Sequence, residues 1–310
     1  MTSWTSGTSG SGSRPSWSRS SWRPASSSTC STGRTATGRT GARSPHRARR
    51  AAEPGKTRRI ALNTEPSDYP RLRALGYDLV DVKADPALVA GVPDGMQALL
   101  WVGNFTCGGF ELGWDAFTQA VHRYGQDPKV YGWYLSDEPN PGDCPKIAQE
   151  IRRRAAYVER HAPRQVSFIS LTDWPMRPLT PKRTGVDLVG LDPYPCKGST
   201  KTREHCDIGA IDRMVRMADA AGIPRDRIAP VLQTFGQSCS KGDRKYWMPT
   251  QGQFRKILAR WDRLTPRPPL EISYSWGRQD EWACPSLSDA SGGDHPDLQS
   301  LIKARNLARG

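Results

Sequence analysis

Residues 130–140 read VYGWYLSDEPN and give the strongest indication of the architecture. A run of β-forming residues leads into two adjacent acids, Asp137 and Glu138. Pro139 then ends the strand, because proline cannot donate a hydrogen bond to a sheet ladder. Enzymes built as α/β barrels carry their catalytic groups at the carboxyl ends of the strands. The stretch therefore predicts a barrel strand that ends in a functional site.

Strand-like and helix-like patterns alternate on both sides of this stretch. Apolar stripes at helical spacing predict helices over residues 69–75, 114–124, 143–161, 208–221, 254–264 and 298–307. Eight strands are predicted, over residues 59–63, 78–82, 96–105, 130–136, 165–171, 186–191, 227–235 and 270–276. Strands that alternate with helices form parallel sheets, and eight such units over about 250 residues match a (β/α)8 TIM barrel. We predict this barrel for residues 59–310 over an open doubly wound sheet, because no glycine-rich phosphate loop follows the first strand.

The positive charge of the chain is concentrated before residue 60. The net charge is +14, of which residues 1–59 contribute +11 and the rest +3, so we do not expect the folded domain to bind nucleic acid. Residues 1–58 are rich in Ser, Thr, Gly and Arg without apolar periodicity, which predicts a disordered tail. We interpret this tail as a nonfunctional leader, of the kind that a misassigned start or an out-of-frame extension gives. A polyanion-binding arm is the alternative.

Six cysteines lie outside the tail, and an even number is typical of a secreted, disulfide-bonded domain. They are Cys107, Cys144, Cys196, Cys206, Cys239 and Cys284. Reduced thiols or a zinc site are alternatives, although the sequence has no C-x-x-C pair. The N-terminus contains no readable signal peptide, and no apolar run is long enough to span a membrane. We expect a secreted protein on the cysteine count.

Each of these cysteines follows a predicted strand, which places them in the loops at the carboxyl face of the barrel. Fifteen pairings of six cysteines exist. The simplest joins spatial neighbours: Cys107 with Cys144, Cys196 with Cys206, and Cys239 with Cys284. We expect these disulfides to brace the loops around the site.

Polar and aromatic side chains collect at the same strand ends. The candidates are Asn63, Asp81, Asn104, Asp137, Glu138, Asp173, Asp192, Tyr194, Gln233 and Trp276, with Trp101, Trp174, Tyr246, Trp247 and Trp282 near them. Aromatic rings stack on sugar rings, and a pair of carboxyl groups hydrolyses a glycosidic bond. The combination indicates a carbohydrate-active site, with a polysaccharide or oligosaccharide as the substrate.

The motif Ser136-Asp137-Glu138-Pro139 resembles the Asn-Glu-Pro motif of the clan A glycoside hydrolases, which are retaining (β/α)8 enzymes. The resemblance covers the layout of the whole barrel, although its motifs are short. It implies that Glu138 is the general acid/base, with Asp137 where the clan has Asn. It also implies that Trp276 is the substrate platform and that Tyr194 is the active-site tyrosine.

One position departs from that clan, whose nucleophile is a Glu at the end of the seventh strand. The present sequence has Gln233 there, and an amide cannot attack an anomeric carbon. Asp192 or Asp173 supplies the second carboxylate in one interpretation. In another, Asp137 and Glu138 work with a 2-acetamido group of the substrate, which resembles the Asp-Glu pair of β-N-acetylhexosaminidases. In the third, the barrel binds sugar without cleaving it.

Structural roles are the competing interpretations for the same residues. The structural alternative for Glu138 is an ion pair. For Asp192 it is a turn or a helix cap before proline, and for Trp276 it is ordinary packing. Side chains alternate along a strand, so Asp137 and Glu138 need not face the same way unless the strand breaks near Pro139.

We predict a monomeric glycoside hydrolase-like protein in which Glu138, Asp137 and Asp192 are catalytic. Asn63, Asn104, Asp173, Tyr194, Gln233 and Trp276 are the expected substrate contacts. A noncatalytic carbohydrate-binding TIM barrel is the alternative. No cofactor, metal or membrane partner is expected, since none of the five histidines ends a strand and no G-x-S-x-G or H-E-x-x-H motif occurs.

Overall fold

A computed structural model describes residues 56–198, 205–239, 245–289 and 294–308, so most of the predicted tail over 1–58 lies outside the described residues. Eight parallel strands close into a barrel, in the order β1-β2-β3-β6-β7-β8-β9-β10 and back to β1. The strands are β1 (Arg58–Ala61), β2 (Leu79–Lys83), β3 (Gln97–Trp101), β6 (Val130–Ser136), β7 (Val166–Leu171), β8 (Leu188–Leu191), β9 (Ile228–Gln233) and β10 (Leu270–Tyr274). The predicted (β/α)8 fold is confirmed.

A two-stranded antiparallel hairpin, β4 (Phe105–Thr106) and β5 (Gly109–Phe110), follows the third barrel strand. The sequence predicted one strand over 96–105, but the barrel strand ends at Trp101. Gly103 has a φ of +83° and turns the chain out of the barrel, which frees the next residues to form the hairpin.

Helices cover the outside of the barrel. They are α1 (Tyr69–Ala74), α2 (Pro86–Ala90), α3 (Trp114–Tyr124), α4 (Ile147–His161), α5 (Pro181–Thr184), α6 (Gly209–Ala221), α7 (Gln251–Leu264) and α8 (Pro296–Ala308). The stripe predicted for α4, residues Ile147, Ile151, Ala155 and Val158, is buried, as are Ile211, Met214, Val215 and Ala218 of α6. The main core therefore lies between the strands and these apolar helix faces.

The described helices include none that is both long and apolar enough to cross a lipid bilayer. Three disulfides join the loops that follow the strands. They pair Cys107 with Cys144, Cys196 with Cys206, and Cys239 with Cys284, which are the pairs that spatial neighbourhood predicted. The first and third link the loops after different strands, so they fasten parts of the carboxyl face to one another.

Candidate functional site

Backbone strain concentrates at the carboxyl ends of the strands. In the described part of the chain, three residues other than glycine have a positive φ: Asn63 at 63°, Glu138 at 41° and Tyr194 at 38°. They follow β1, β6 and β8. A left-handed backbone costs about 1–2 kcal/mol for a residue with a Cβ and a bulky side chain, and such positions cluster at functional sites.

The positive φ of Glu138 also explains how two acids that are neighbours in sequence can lie at the same end of the barrel. Side chains alternate along β6, but the alternation ends where the backbone turns left-handed. The strand break was predicted near Pro139; β6 ends at Ser136, and the left-handed backbone follows at Glu138. Asp137 and Glu138 therefore make separate contacts at the same end of the barrel.

Asp137 is held by three neighbours. Its Oδ1 accepts hydrogen bonds from the hydroxyl of Ser170 at 2.6 Å and from that of Tyr134 at 2.7 Å. Its backbone N–H donates to Oδ1 of Asn104 at 2.7 Å. Burial, followed by the charge of Asp137, raises the pKa of Tyr134 well above its ordinary value, so its hydroxyl keeps the proton that it donates. These contacts fix the Asp137 carboxyl.

Glu138 contacts the third acid of the cluster. Its backbone N–H donates to Ser170 Oγ at 3.3 Å, and its carboxyl shares a hydrogen bond with the carboxyl of Asp192. Two carboxyl groups can share a hydrogen bond only when one of them carries the proton. Asp192 is 3% exposed, and its Oδ1 has no hydrogen-bond partner among the described residues.

The pKa of Asp192 is raised well above its usual range. Burial is the largest cause, and the charges of Glu138 and then Asp137 add to it. The two charged groups with the largest effect on Asp192 are therefore both acids. Perturbed carboxyl groups of this kind are typical of active sites.

Asp192 was expected to be the second carboxylate, opposite Glu138 across the scissile bond. The two carboxyls of a retaining glycosidase are about 5–5.5 Å apart and those of an inverting enzyme about 6.5–9.5 Å apart. The structure places Asp192 in a buried position where it interacts with Glu138. Its role as the second carboxylate stays a prediction.

Asn63 lies in a polar network beside the acids. Its backbone N–H donates to Asp81 Oδ2 at 2.8 Å, and its side chain donates to Ser275 and accepts from Gln279. Gln279 in turn accepts from the hydroxyl of Tyr274 at 2.7 Å. Burial raises the pKa of Asp81 to about 6, against the lowering effect of these backbone hydrogen bonds. The network joins the end of β1 to the loop after β10.

Tyr194 belongs to a cluster of four rings. Its ring centroid lies 5.0 Å from Phe235, 5.7 Å from Tyr246 and 5.9 Å from Tyr274. The three tyrosines are half-buried, whereas Phe235 is buried. Burial, followed by the charge of Asp192, raises the pKa of Tyr194, which links this tyrosine cluster to the acids.

Gln233 and Trp276 do not have the roles predicted for them. Gln233 is fully buried; its Oε1 accepts from the N–H of Cys196, and its Nε2 donates to the carbonyls of Cys196, Trp247 and Phe235. Every polar atom is therefore used by the fold. Trp276 is also fully buried and packs edge-on against Tyr77, so it offers no platform for a sugar.

Asp173 is exposed in the loop after β7, and within the described residues no hydrogen bond or ion pair joins it to the acid cluster. Sequence reasoning missed Ser170, Tyr134 and Tyr274 as site residues. Ser170 had a usable signal, since it is a polar residue near the end of the apolar strand QVSFISL. Tyr134 and Tyr274 look like ordinary strand residues, and only the barrel shows that their hydroxyls reach the site.

One group of three metal-ligating side chains occurs in the described residues: Cys239, Cys284 and Asp289. The two sulfurs form a disulfide, so neither is available as a thiolate ligand. This group therefore does not fit a metal ion while the disulfide is intact.

Comparison with known proteins supports the fold. No protein-family model and no curated protein matches the sequence. Among solved structures, a β-galactosidase from the psychrophilic Marinomonas ef1 is similar, with a TM-score of 0.59, 9% identity, and coverage of 81% of this chain and 59% of that one. A Lactobacillus rhamnosus β-glucuronidase has a TM-score of 0.54 at 12% identity, covering 77% of this chain and 45% of that one.

A chitinase from Chromobacterium violaceum has a TM-score of 0.53 at 10% identity, covering 82% of this chain and 100% of that one. The chain thus spans about half the length of the galactosidase and the glucuronidase. These three neighbours are glycosidases, and the likeness shows that the chain shares their barrel fold. The clan A motif and the role of Glu138 stay predictions.

Proposed function

We propose that the barrel hydrolyses O-glycosidic bonds of a polysaccharide or oligosaccharide, with Glu138 as the general acid/base. The observation that carries this proposal is the contact between Glu138 and the buried acid Asp192, at the end of the barrel where such enzymes place their chemistry. Glu138 is itself half-buried, and its backbone is strained into the left-handed region. Stability alone does not favour a strained backbone that brings two acids together.

In the proposed reaction, Glu138 donates a proton to the glycosidic oxygen as the bond to the anomeric carbon breaks. The leaving sugar departs as an alcohol, and Glu138 remains as a carboxylate. This carboxylate then takes a proton from the water that attacks the anomeric carbon, which restores the acid. Burial raises the pKa of Asp192, so the Asp192–Glu138 pair retains one proton, and in the proposed cycle this proton moves to Glu138 before it reaches the glycosidic oxygen.

Asp137 is the carboxylate best placed to act on the reacting sugar. Its Oδ1 is committed to Ser170 and Tyr134, so Oδ2 is the atom available to a substrate. A fixed carboxylate beside the anomeric carbon stabilises the positive charge that develops there, or it orients an acetamido group that acts as the nucleophile. Substrates with and without a 2-acetamido group separate these two routes.

The sugar-contact surface in this proposal is the tyrosine cluster rather than Trp276. Tyr194, Tyr246 and Tyr274 are half-buried, so each keeps part of its surface for a ligand. The disulfide between Cys196 and Cys206 lies two residues after Tyr194 in the same loop. We propose that the protein is extracellular, since three disulfides persist in an oxidising compartment, and that it acts as a monomer.

The decisive variant is Glu138→Gln, with Glu281→Gln as the matched control on an exposed loop. We expect the first to lower kcat by about 10²–10⁴-fold, because it removes the general acid while keeping the shape of the side chain. The control should retain the wild-type rate. Hydrolysis of a panel of aryl glycosides, together with circular dichroism of each variant, measures this. Wild-type rates in Glu138→Gln would refute the proposal.

A noncatalytic carbohydrate-binding barrel is the second candidate. The observation in its favour is Gln233, a buried and fully hydrogen-bonded amide at the position of the clan's nucleophile. The pH–rate profile of the wild-type protein separates the candidates: an enzyme gives a bell with an acid limb, whereas a binding protein gives sugar binding without turnover on any substrate of the panel.

A further inference from the structure

A basic groove lies on the flank of the barrel, and none of its lining residues belongs to the acid cluster. Its volume is about 730 Å³. The lining residues come from the first turns of α4, the segment 177–183 and the end of α6: Ala148, Gln149, Arg152, Arg177, Pro178, Thr180, Lys182, Arg183, Ala221 and Gly222. The groove exists because α5 has four residues where the neighbouring helices have fifteen and thirteen. A helix this short leaves part of the flank uncovered.

Four cations line this flank groove: Arg152, Arg177, Lys182 and Arg183. All four are exposed, and none of the ten lining residues is acidic. None of the four forms an ion pair within the described residues, whereas many other arginines on the surface do, such as Arg225 with Asp219 at 2.7 Å. The remaining lining residues are small or polar, so they leave the guanidinium and ammonium groups accessible.

We propose that the flank groove binds an acidic polysaccharide through the carboxylates of successive sugar units. Guanidinium groups pair with carboxylates in a planar, two-bond geometry, and several such contacts along one polymer reinforce each other. The exposed Gln149 adds a polar group for the hydroxyls of the sugar. The site would hold the polymer on the flank and is independent of the chemistry proposed for Glu138.

The lining favours a polysaccharide over a nucleic acid. Proteins that bind single-stranded nucleic acid stack its bases on aromatic side chains, and none of the lining residues is aromatic. The three disulfides also favour an extracellular setting, where a polysaccharide is the more accessible polyanion.

The test is the binding of an oligogalacturonate to the full chain, measured by calorimetry at low and at physiological salt. One variant replaces Arg152, Arg177, Lys182 and Arg183 by Gln. The matched control replaces four other exposed cations, Arg255, Lys256, Arg267 and Lys303, and loses the same charge. Both retain the Arg-rich N-terminal segment, so its contribution to binding cancels in the comparison.

We expect the groove variant to bind about tenfold or more weakly, with a smaller salt dependence, while the control stays near the wild-type affinity. Hydrolysis of a small aryl glycoside should be the same in all three proteins, which separates this proposal from that for Glu138. An equal loss of affinity in the two variants, or no loss of affinity in the groove variant, would overturn the proposed binding site. Competition by duplex DNA at equal or lower charge concentration would assign the groove to nucleic acid instead.

Discussion

The two ends of the barrel treat their carboxylates in opposite ways. At the amino end, Asp78 pairs with Arg58 at 2.8 Å and accepts from the N–H of Arg59 at 2.7 Å. Asp187 accepts two hydrogen bonds from Ser167 and lies 4.0 Å from Arg227. Both of these acids are thus compensated by a cation and by donors of the neighbouring strand.

At the carboxyl end, Asp137, Glu138 and Asp192 lie together. Asp192 is buried, and the charges with the largest effect on it are those of other acids. Acidic residues therefore stabilise the fold at the amino end. At the carboxyl end, burial and neighbouring acids disfavour the charged form of Asp192. Acids with perturbed pKa values cluster at functional sites, which makes the contrast a guide to where function lies.

The largest effect on stability is expected for Gln233, a residue at the carboxyl end whose side-chain amide is fully hydrogen-bonded. Gln233→Glu should destabilise the protein by about 3 kcal/mol, because the new carboxyl would face the carbonyls of Cys196, Trp247 and Phe235 without an amide to donate. It should not increase hydrolysis. Urea unfolding measures this, with the exposed Gln251→Glu as the control. A stable and more active Gln233→Glu protein would mean that the position is a dormant nucleophile site.

A direct comparison of the two ends comes from Asp78→Asn and Asp192→Asn. The first should destabilise the protein by about 1–2 kcal/mol, because an amide group replaces the oxygen that faces Arg58. The second should be neutral or stabilising by up to about 1 kcal/mol at pH 7, since the neutral amide can donate to Glu138 as a protonated Asp192 carboxyl does. Urea unfolding midpoints of both variants give the signs. An equal loss of stability in the two variants would contradict the proposed difference between the two ends of the barrel.

The smallest effect is a pH dependence that comes from the carboxyl end. The pKa of Asp81 is raised by burial from 3.8 to about 6, so the native state binds more protons than the unfolded state between these values. Stability should fall as pH rises through this window, by at most about 1.4 kcal/mol per pH unit, and Asp192 acts in the same direction.

Asp81→Asn should flatten the pH dependence of the urea midpoint between pH 4 and 6. The exposed Asp94→Asn, outside the acid cluster, is the control and should follow the wild type. If the two variants behave alike, the buried acids at the carboxyl end are not the source of the pH dependence.

Most of the fold could be predicted from the sequence. The helix over 114–124 was predicted with its observed bounds, and the eight strands were found in order, with errors of a few residues at their ends. These features are encoded locally, in the period of apolar residues and in residues such as Pro139 that end an element. The errors fall where a backbone turn, such as those at Asn63 and Gly103, overrides the local pattern.

The sequence by itself determined the barrel order, the approximate positions of the strands and the loops that carry the cysteines. Only the tertiary structure decided what those groups face: Asp192 contacts Glu138, while Gln233 and Trp276 lie inside the protein. The physical reason is that a strand pattern specifies which residues end a strand. The direction of a side chain beyond that end depends on the local φ and on strands distant in sequence that closure of the barrel brings alongside.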